Sequence, residues 1–459
     1  MVGEVSLMTT RRLAALFILV LGAASCRGNP LHCEGHPFDD CDLEWDAAGP
    51  VKCTSNAECA APTAVCDVAG TETCVECVAP DETAACIGAE PVCGDDHACR
   101  GCVAHAECAS AACLSDGTCA LSTSVAYVDP SGTDNTMCTQ AMPCTSVAKA
   151  LATNRPFVKF TGTTDEAVTI SNGRKVTFLA DANATLTRTV GNGAIVTVRD
   201  DASELTVFDL SISNAPNNPS GVGLVIPAAA GAPKVRLTRT KVANNPGGGV
   251  SASGGTFTIS QSTISGNSGG GISASGGTLT IAQSTVSGNA GGGISISGSS
   301  FDITNSFITS NGSGTSIFGG VKIDAIPAAG SGRLDFNTIA ANQAPATVNT
   351  GITCGTVLTS LTFANNIVFA NLVSGGGKQL GGSPNCTATF SDIGPDPTPG
   401  NGNINADPMF VDVVQGNFHL KPQSPARDAA DPAASLNVDF DGDARPQGDR
   451  RDMGADEVR

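Results

Sequence analysis

The chain has 459 residues, 19 cysteines, 54 glycines, one tryptophan and a formal net charge of −18 at pH 7. That length exceeds one ordinary compact core, so two or more domains are expected. Residues 27–122 carry 17 Asp and Glu against 3 Lys and Arg, an acidity that argues against nucleic acid or an electrostatically held membrane as partner and tolerates a cation best.

Residues 1–25 read as a processing segment, to be left out of fold reasoning. Arg11 and Arg12 form a basic stretch, Leu13 to Leu21 is an apolar run too short to span a bilayer, and Ala23-Ala24-Ser25 precede Cys26. Small residues directly before a cysteine resemble a bacterial lipoprotein signal, which implies a lipidated Cys26 and an outer-membrane, envelope location. The other reading is an ordinary secretory signal. Lipidating Cys26 leaves 18 cysteines, an even set suited to an oxidising compartment.

Residues 26–122 form a cysteine-rich module, with 14 cysteines between Cys33 and Cys119. So few large apolar side chains cannot sustain a core, so covalent cross-links must limit the unfolded ensemble. The segment repeats: Val65-Cys66 leads to Cys74, Val92-Cys93 to Cys99, and Ala112-Cys113 to Cys119, with turn formers between, as short hairpins stapled at their ends require. Cys74, Cys77, Cys99 and Cys102 also have a spacing that fits structural zinc; export and the neighbouring cysteines point to disulfides. The segment resembles cysteine-rich modules of secreted bacterial lipoproteins and reads as a spacer or interaction module.

Residues 123–156 read as an entry segment, with Cys138 and Cys144 closing a small loop and Ser146–Ala152 a short helix covering the first strand edge. Beyond it, Asn245, Asn267, Asn289 and Asn311 recur every 22 residues within nearly identical text. A fixed period in the low twenties means one supersecondary unit stacked on its neighbours. Phe257 and Ile259 alternate with Thr256, Thr258 and Ser260, and three apolar columns emerge: Phe257/Leu279/Phe301, Ile264/Val286/Ile308 and Val250/Ile272/Ile294. Three short strands per repeat predict an all-β fold over residues 157–410, a right-handed parallel β-helix of about ten coils. The asparagines are expected to sit at bends with positive φ and to form a hydrogen-bonded ladder. Gly-Gly pairs such as Gly254-Gly255 make the corners, and Cys354 and Cys386 tie two coils together.

Residues 411–459 are expected to cap the C-terminal end. Asp407–Asp412, Phe418-His419-Leu420, Ser424–Ala429, Asp439–Arg445 and Asp452–Glu457 resemble the tail of choice-of-anchor Q bacterial surface proteins, and residues 125–457 resemble right-handed parallel β-helix proteins of the pectate-lyase-like superfamily. The resemblance implies a fold and export, and in the lyases and hydrolases of that superfamily a polysaccharide lying along one strand column.

Outward positions of the first apolar column read Lys234, Arg236, Thr238; Thr256, Thr258, Ser260; Thr278, Thr280, Ala282; Ser300, Asp302, Thr304. No pair of carboxylates suited to a glycoside hydrolase stands there, and no oxygen cluster for a calcium-assisted lyase. The catalytic candidates are Arg333, Asp335 and Asp302, with Arg236 beyond them. Their other reading is a set of surface charges that keeps a Thr/Ser sheet soluble. Tight corners leave no loops to wall a cleft over the central coils. Asp439, Asp441 and Asp443 alternate like a calcium loop, but Ala444 and Arg450 exclude an EF-hand. They read as a Ca2+ site or as a loop whose carboxylates accept backbone N–H groups. The function expected is a non-catalytic, lipid-anchored envelope protein presenting a β-helix to polysaccharide or another surface component; the alternative is a polysaccharide lyase or glycoside hydrolase.

Overall fold

The computed structural model describes residues 52–459, apart from 60, 62, 64, 79–85, 218–220, 229–230, 329, 346–347, 356–359, 373–377, 396–397 and 399. Cys26 and the processing segment lie outside the described residues. The chain divides into two units, Met1–Val75 and Glu76–Arg459.

In the cysteine-rich region each repeat holds two interlocked disulfides, first to third and second to fourth: Cys53–Cys66 and Cys59–Cys74, Cys77–Cys93 and Cys86–Cys99, Cys102–Cys113 and Cys108–Cys119. Zinc on Cys74, Cys77, Cys99 and Cys102 is thereby excluded, since each sulfur bonds a different cysteine. The hairpins form, with Cys66 opposite Cys74 and Cys93 opposite Cys99. The expected staple does not: each hairpin cysteine bonds an upstream loop instead. The last repeat is also no free spacer. Its Ala112 and Ala120 pack with Val125, Tyr127, Leu179 and Phe208, and the Tyr127 hydroxyl donates to Ser110 O at 2.6 Å.

From Val125 onward the chain winds through three parallel sheets of 11, 10 and 9 strands among the described residues, called A, B and C. One coil shows the plan: Thr256–Ser260 in A, Thr263–Ser265 in B, Ile272–Ser275 in C. Coils are numbered by their sheet A strand, from Phe157–Phe160 (coil 1) through Thr256–Ser260 (coil 5) to Cys386–Thr389 (coil 10). Nine coils have all three strands. In sheet A the apolar column stays in step, Phe257 beside Leu279 beside Phe301, because a period-two strand with one apolar face admits no one-residue slip; sheet C shifts once, between Ile296 and Ser297. The core is a single continuous column from Ala126 to Ile393. At its open start, the helix Val147–Ala152, N-capped by Ser146, buries Val147 and Ala150 in that column.

The ladder runs Asn245, Asn267, Asn289, Asn311, Asn342, Asn371 and ends on Gln379, each Nδ2 donating to the next side-chain oxygen at 2.7–3.0 Å. Positive φ falls one residue earlier than expected, on Asn244, Gly266, Gly288 and Ser310. The bend is made there, leaving the asparagine to point inward. Beside the ladder the backbones touch: a Cβ on Gly271 would lie 2.6 Å from Gly293 O and 2.9 Å from Asn289 Nδ2. A second ladder at the A–B corner was not anticipated. The Thr240 N–H donates to Ser262 Oγ, and the chain continues through Ser284, Ser306, Asn337, Asn366 and Ser391.

Cys138–Cys144 and Cys354–Cys386 form as expected, the latter joining coils 8 and 10. The C-terminal tail covers one side of the stack. It folds back along the flank, burying Phe410, Phe418, Leu420, Met453 and Val458 with Phe307, Phe336 and Ile367 of coils 7 to 9.

Candidate functional site

On the outer face of sheet A, Arg236, Thr258, Thr280, Asp302 and Arg333 stand in one register column. Asp302 and Arg333 are neighbours there, and Arg333 Nη2 donates to Asp335 Oδ2 at 2.8 Å while Nη1 lies 3.7 Å from Asp302 Oδ1. Asp335 Oδ1 accepts from Asn365 Nδ2 at 2.8 Å. Arg236 is three coils away from Asp302, about 14 Å at strand spacing, and belongs to no joint site with it. Arg333 stands between two carboxylates, which leaves the trio one net negative charge.

Sheet B differs, and here the expectation of no cleft is overturned. Its outward residues are hydroxyls in register, Thr263 beside Thr285 and Ser265 beside Ser287, followed on coil 7 by Phe307 and Thr309. The tail docks beside them. A strand pair, Phe410–Asp412 with Asn417–Leu420, brings Gln415, Gly416, Phe418 and His419 against coils 6 and 7, and Phe440 follows. The groove between has a volume of about 440 Å³, floored by Thr285, Ser287, Gly288, Thr309 and Ser310. Phe307 meets Phe440 edge-on at 4.6 Å and His419 at 5.2 Å between ring centroids, so the wall is aromatic.

The tail is held by the A–B corner residues. Gln283, Asn305, Phe336 and Asn365 occupy the same left-handed corner on coils 6 to 9, with φ of 45–59°, which turns their side chains outward. Gln283 Nε2 donates to Asp439 O, Asn305 Nδ2 to Val438 O, and Asn365 Oδ1 accepts from Asp431 N. Arg445 lies over the Phe336 ring at 4.7 Å. It also pairs with Glu457 at 3.0 Å, both side chains fully buried. Gly454, at φ 92°, comes so close that a Cβ would meet Ile367 at 2.6 Å.

The three candidate aspartates of the tail are not brought together. Asp439 is buried and accepts the N–H groups of Asp443 and Glu457, Asp441 pairs with His419, and Asp443 pairs with Arg459. The calcium reading of that trio gives way to the backbone-acceptor reading for Asp439. Instead His419, Asp441 and Asp456 offer ligand atoms within 4.8 Å of one another. Burial pushes the Asp456 carboxyl above its ordinary range. His419 is the only histidine beyond the cysteine-rich part, and the 22 and 37 residues that separate it from Asp441 and Asp456 give no pattern that would join them.

A family model described as a right handed beta helix region matches residues 194–393, which agrees with the hand and the coils described above. Among solved structures, the chain is similar to pectate lyase Pel9A, at 15% identity and TM-score 0.48, covering 73% of this chain and 96% of that one. It is also similar to pectin methylesterase PemA from Erwinia chrysanthemi, at 13% identity and TM-score 0.33, covering 61% and 91%. No curated protein matches.

Proposed function

We propose that this protein is a lipid-anchored envelope protein of the choice-of-anchor Q type that binds a neutral polysaccharide without cleaving it. The observation that carries the reading is the groove on sheet B. A row of Thr and Ser hydroxyls supplies donors and acceptors for sugar hydroxyls, and the part-exposed Phe440 supplies apolar ring surface for a sugar's C–H face. Among the described residues no Lys or Arg lines the groove, so no cationic side chain of those types pairs with a polyuronate there. The anchor reading is supported by Ala23-Ala24-Ser25-Cys26 at the end of the apolar run. Glycan-array screening of the soluble chain, followed by calorimetry, tests it: neutral oligosaccharides are expected to bind, and Phe440→Ala to weaken binding at least tenfold. Binding of uronates alone, or an unchanged Phe440→Ala, refutes the groove.

A second reading, a polysaccharide lyase or hydrolase, is favoured by one observation, the meeting of Arg333 with Asp302 and Asp335. Depolymerisation assays across uronic-acid and neutral glycans decide it. Turnover that disappears in Arg333→Ala and Asp302→Ala replaces the binding role with catalysis.

A further inference from the structure

We propose that His419, Asp441 and Asp456 form a binding site for one divalent transition-metal ion, with Zn2+ as the probe. The argument starts from the tautomer of His419. Asn417 Oδ1 accepts the backbone N–H of His419 at 3.1 Å, which identifies that atom as the amide oxygen. The same oxygen lies 2.7 Å from His419 Nδ1, so Nδ1 carries a hydrogen and donates it. Nε2 therefore presents its lone pair outward whenever the imidazole is neutral. It faces Asp441 Oδ2 at 2.9 Å, and two electron-pair donors at that distance require a cation between or beside them, a proton or a metal.

The second, independent observation is Asp456. Its side chain is more than nine-tenths buried, and one oxygen accepts the Leu420 N–H at 2.6 Å. A carboxylate oxygen of Asp456 lies within 4.8 Å of the His419 and Asp441 ligand atoms. A second carboxylate beside Asp441 and a ring lone pair completes a donor set for a cation.

The donor types choose the metal. Ca2+ takes six to eight oxygens, whereas one imidazole nitrogen with two carboxylates suits Zn2+ or a similar first-row ion. Zn–N and Zn–O bonds of about 2 Å place ligand atoms roughly 3.3 Å apart, near the 2.9 Å already held between Nε2 and Oδ2. The Nδ1–H to Asn417 bond is the outer-shell partner that fixes a ligating histidine's tautomer and plane. Three protein donors leave at least one position for water, and His419 lines the groove wall. The site stands apart from the glycan reading, since it needs no sugar.

The test is calorimetric titration of the full metal-stripped protein with Zn2+, Mn2+ and Ca2+, with Co2+ absorption reporting the ligand field. One Zn2+ per chain is expected. His419→Ala and Asp441→Asn, each shown by circular dichroism to be folded, should weaken it at least tenfold and abolish the Co2+ band. Zn2+ binding of unchanged affinity in both variants assigns the metal elsewhere and overturns the proposal. So does an absence of stoichiometric Zn2+, which leaves an imidazolium–carboxylate pair holding only a proton, or a preference for Ca2+ retained in His419→Ala.

Discussion

Asn289 shows how one side chain can be worth several hydrogen bonds at once. Its oxygen accepts from Asn267 N at 3.1 Å and Asn267 Nδ2 at 2.9 Å, while its Nδ2 donates to Ile264 O and Asn311 Oδ1. All of this is fully buried, so Asn289→Ala strands several polar groups at about 1–3 kcal/mol each. A loss of about 3 kcal/mol or more in chemical denaturation is expected; a loss under about 1 kcal/mol means that water replaces the rung. Asp392 presents the opposite case. Burial pushes its carboxyl up to about 7, above the ordinary value near 3.9, so the folded state holds the proton more tightly than the unfolded. Its contribution is present in full below pH of about 4 and is lost as pH rises through about 7. Asp392→Asn, which keeps an oxygen for the Ala406 N–H, should therefore melt above the parent at pH 8 and level with it at pH 4. A difference of equal size at both pH values rules out titration as its cause.

At the scale of elements, the tail is a strap whose buckle is Arg445. Its guanidinium donates to Asp452 O, Gly454 O and Glu457 and lies over Phe336. Removing it leaves a buried carboxylate that keeps only the backbone N–H groups of Gln447 and Asp452. Arg445→Ala is expected to cost about 3–5 kcal/mol, with the damage confined to residues 410–459 because the coils keep their own core. Hydrogen exchange should report fast amides in the tail and unchanged protection in coils 3 to 6. Uniform loosening of the coils contradicts the strap. The tail residues that resembled a surface-protein motif thus have structural work: Asp439, Asp452 and Glu457 accept backbone N–H groups, and Gly454 permits close approach.

Across the Glu76–Arg459 unit, the flank is covered at two places. The third cysteine repeat packs on Leu179 and Phe208, whose strands belong to coils 2 and 3, and the tail covers coils 6 to 9. Coil 5 carries neither cover, and its neighbours repeat its sequence. Deleting residues 245–266 joins Asn244 to Asn267 and restores the same register one coil shorter, because each repeat contacts only its neighbours. That variant should fold with a single unfolding transition and an intact tail. Deleting residues 289–310 instead removes Asn305 and Phe307 and should expose the tail to protease. Equal tolerance of the two deletions argues against a tail docked on particular coils.

Legible along the chain were the solenoid, its three columns, the Asn267 ladder, the Cys138–Cys144 and Cys354–Cys386 pairs and the short entry helix. The columns and the ladder rest on one period, where each residue's partner is the same residue one coil away; the helix and Cys138–Cys144 are local, and Cys354 and Cys386 are the only cysteines beyond Cys144. The Ser262–Ser284–Ser306 ladder obeyed the same period but was hidden by a background rich in Ser and Thr. Packing in three dimensions set which cysteines pair around the hairpins, where the tail lies, and that His419 meets Asp441 and Asp456 beside a groove. Those contacts join segments with no shared period, so their geometry follows from how two surfaces pack, which no spacing along the chain encodes.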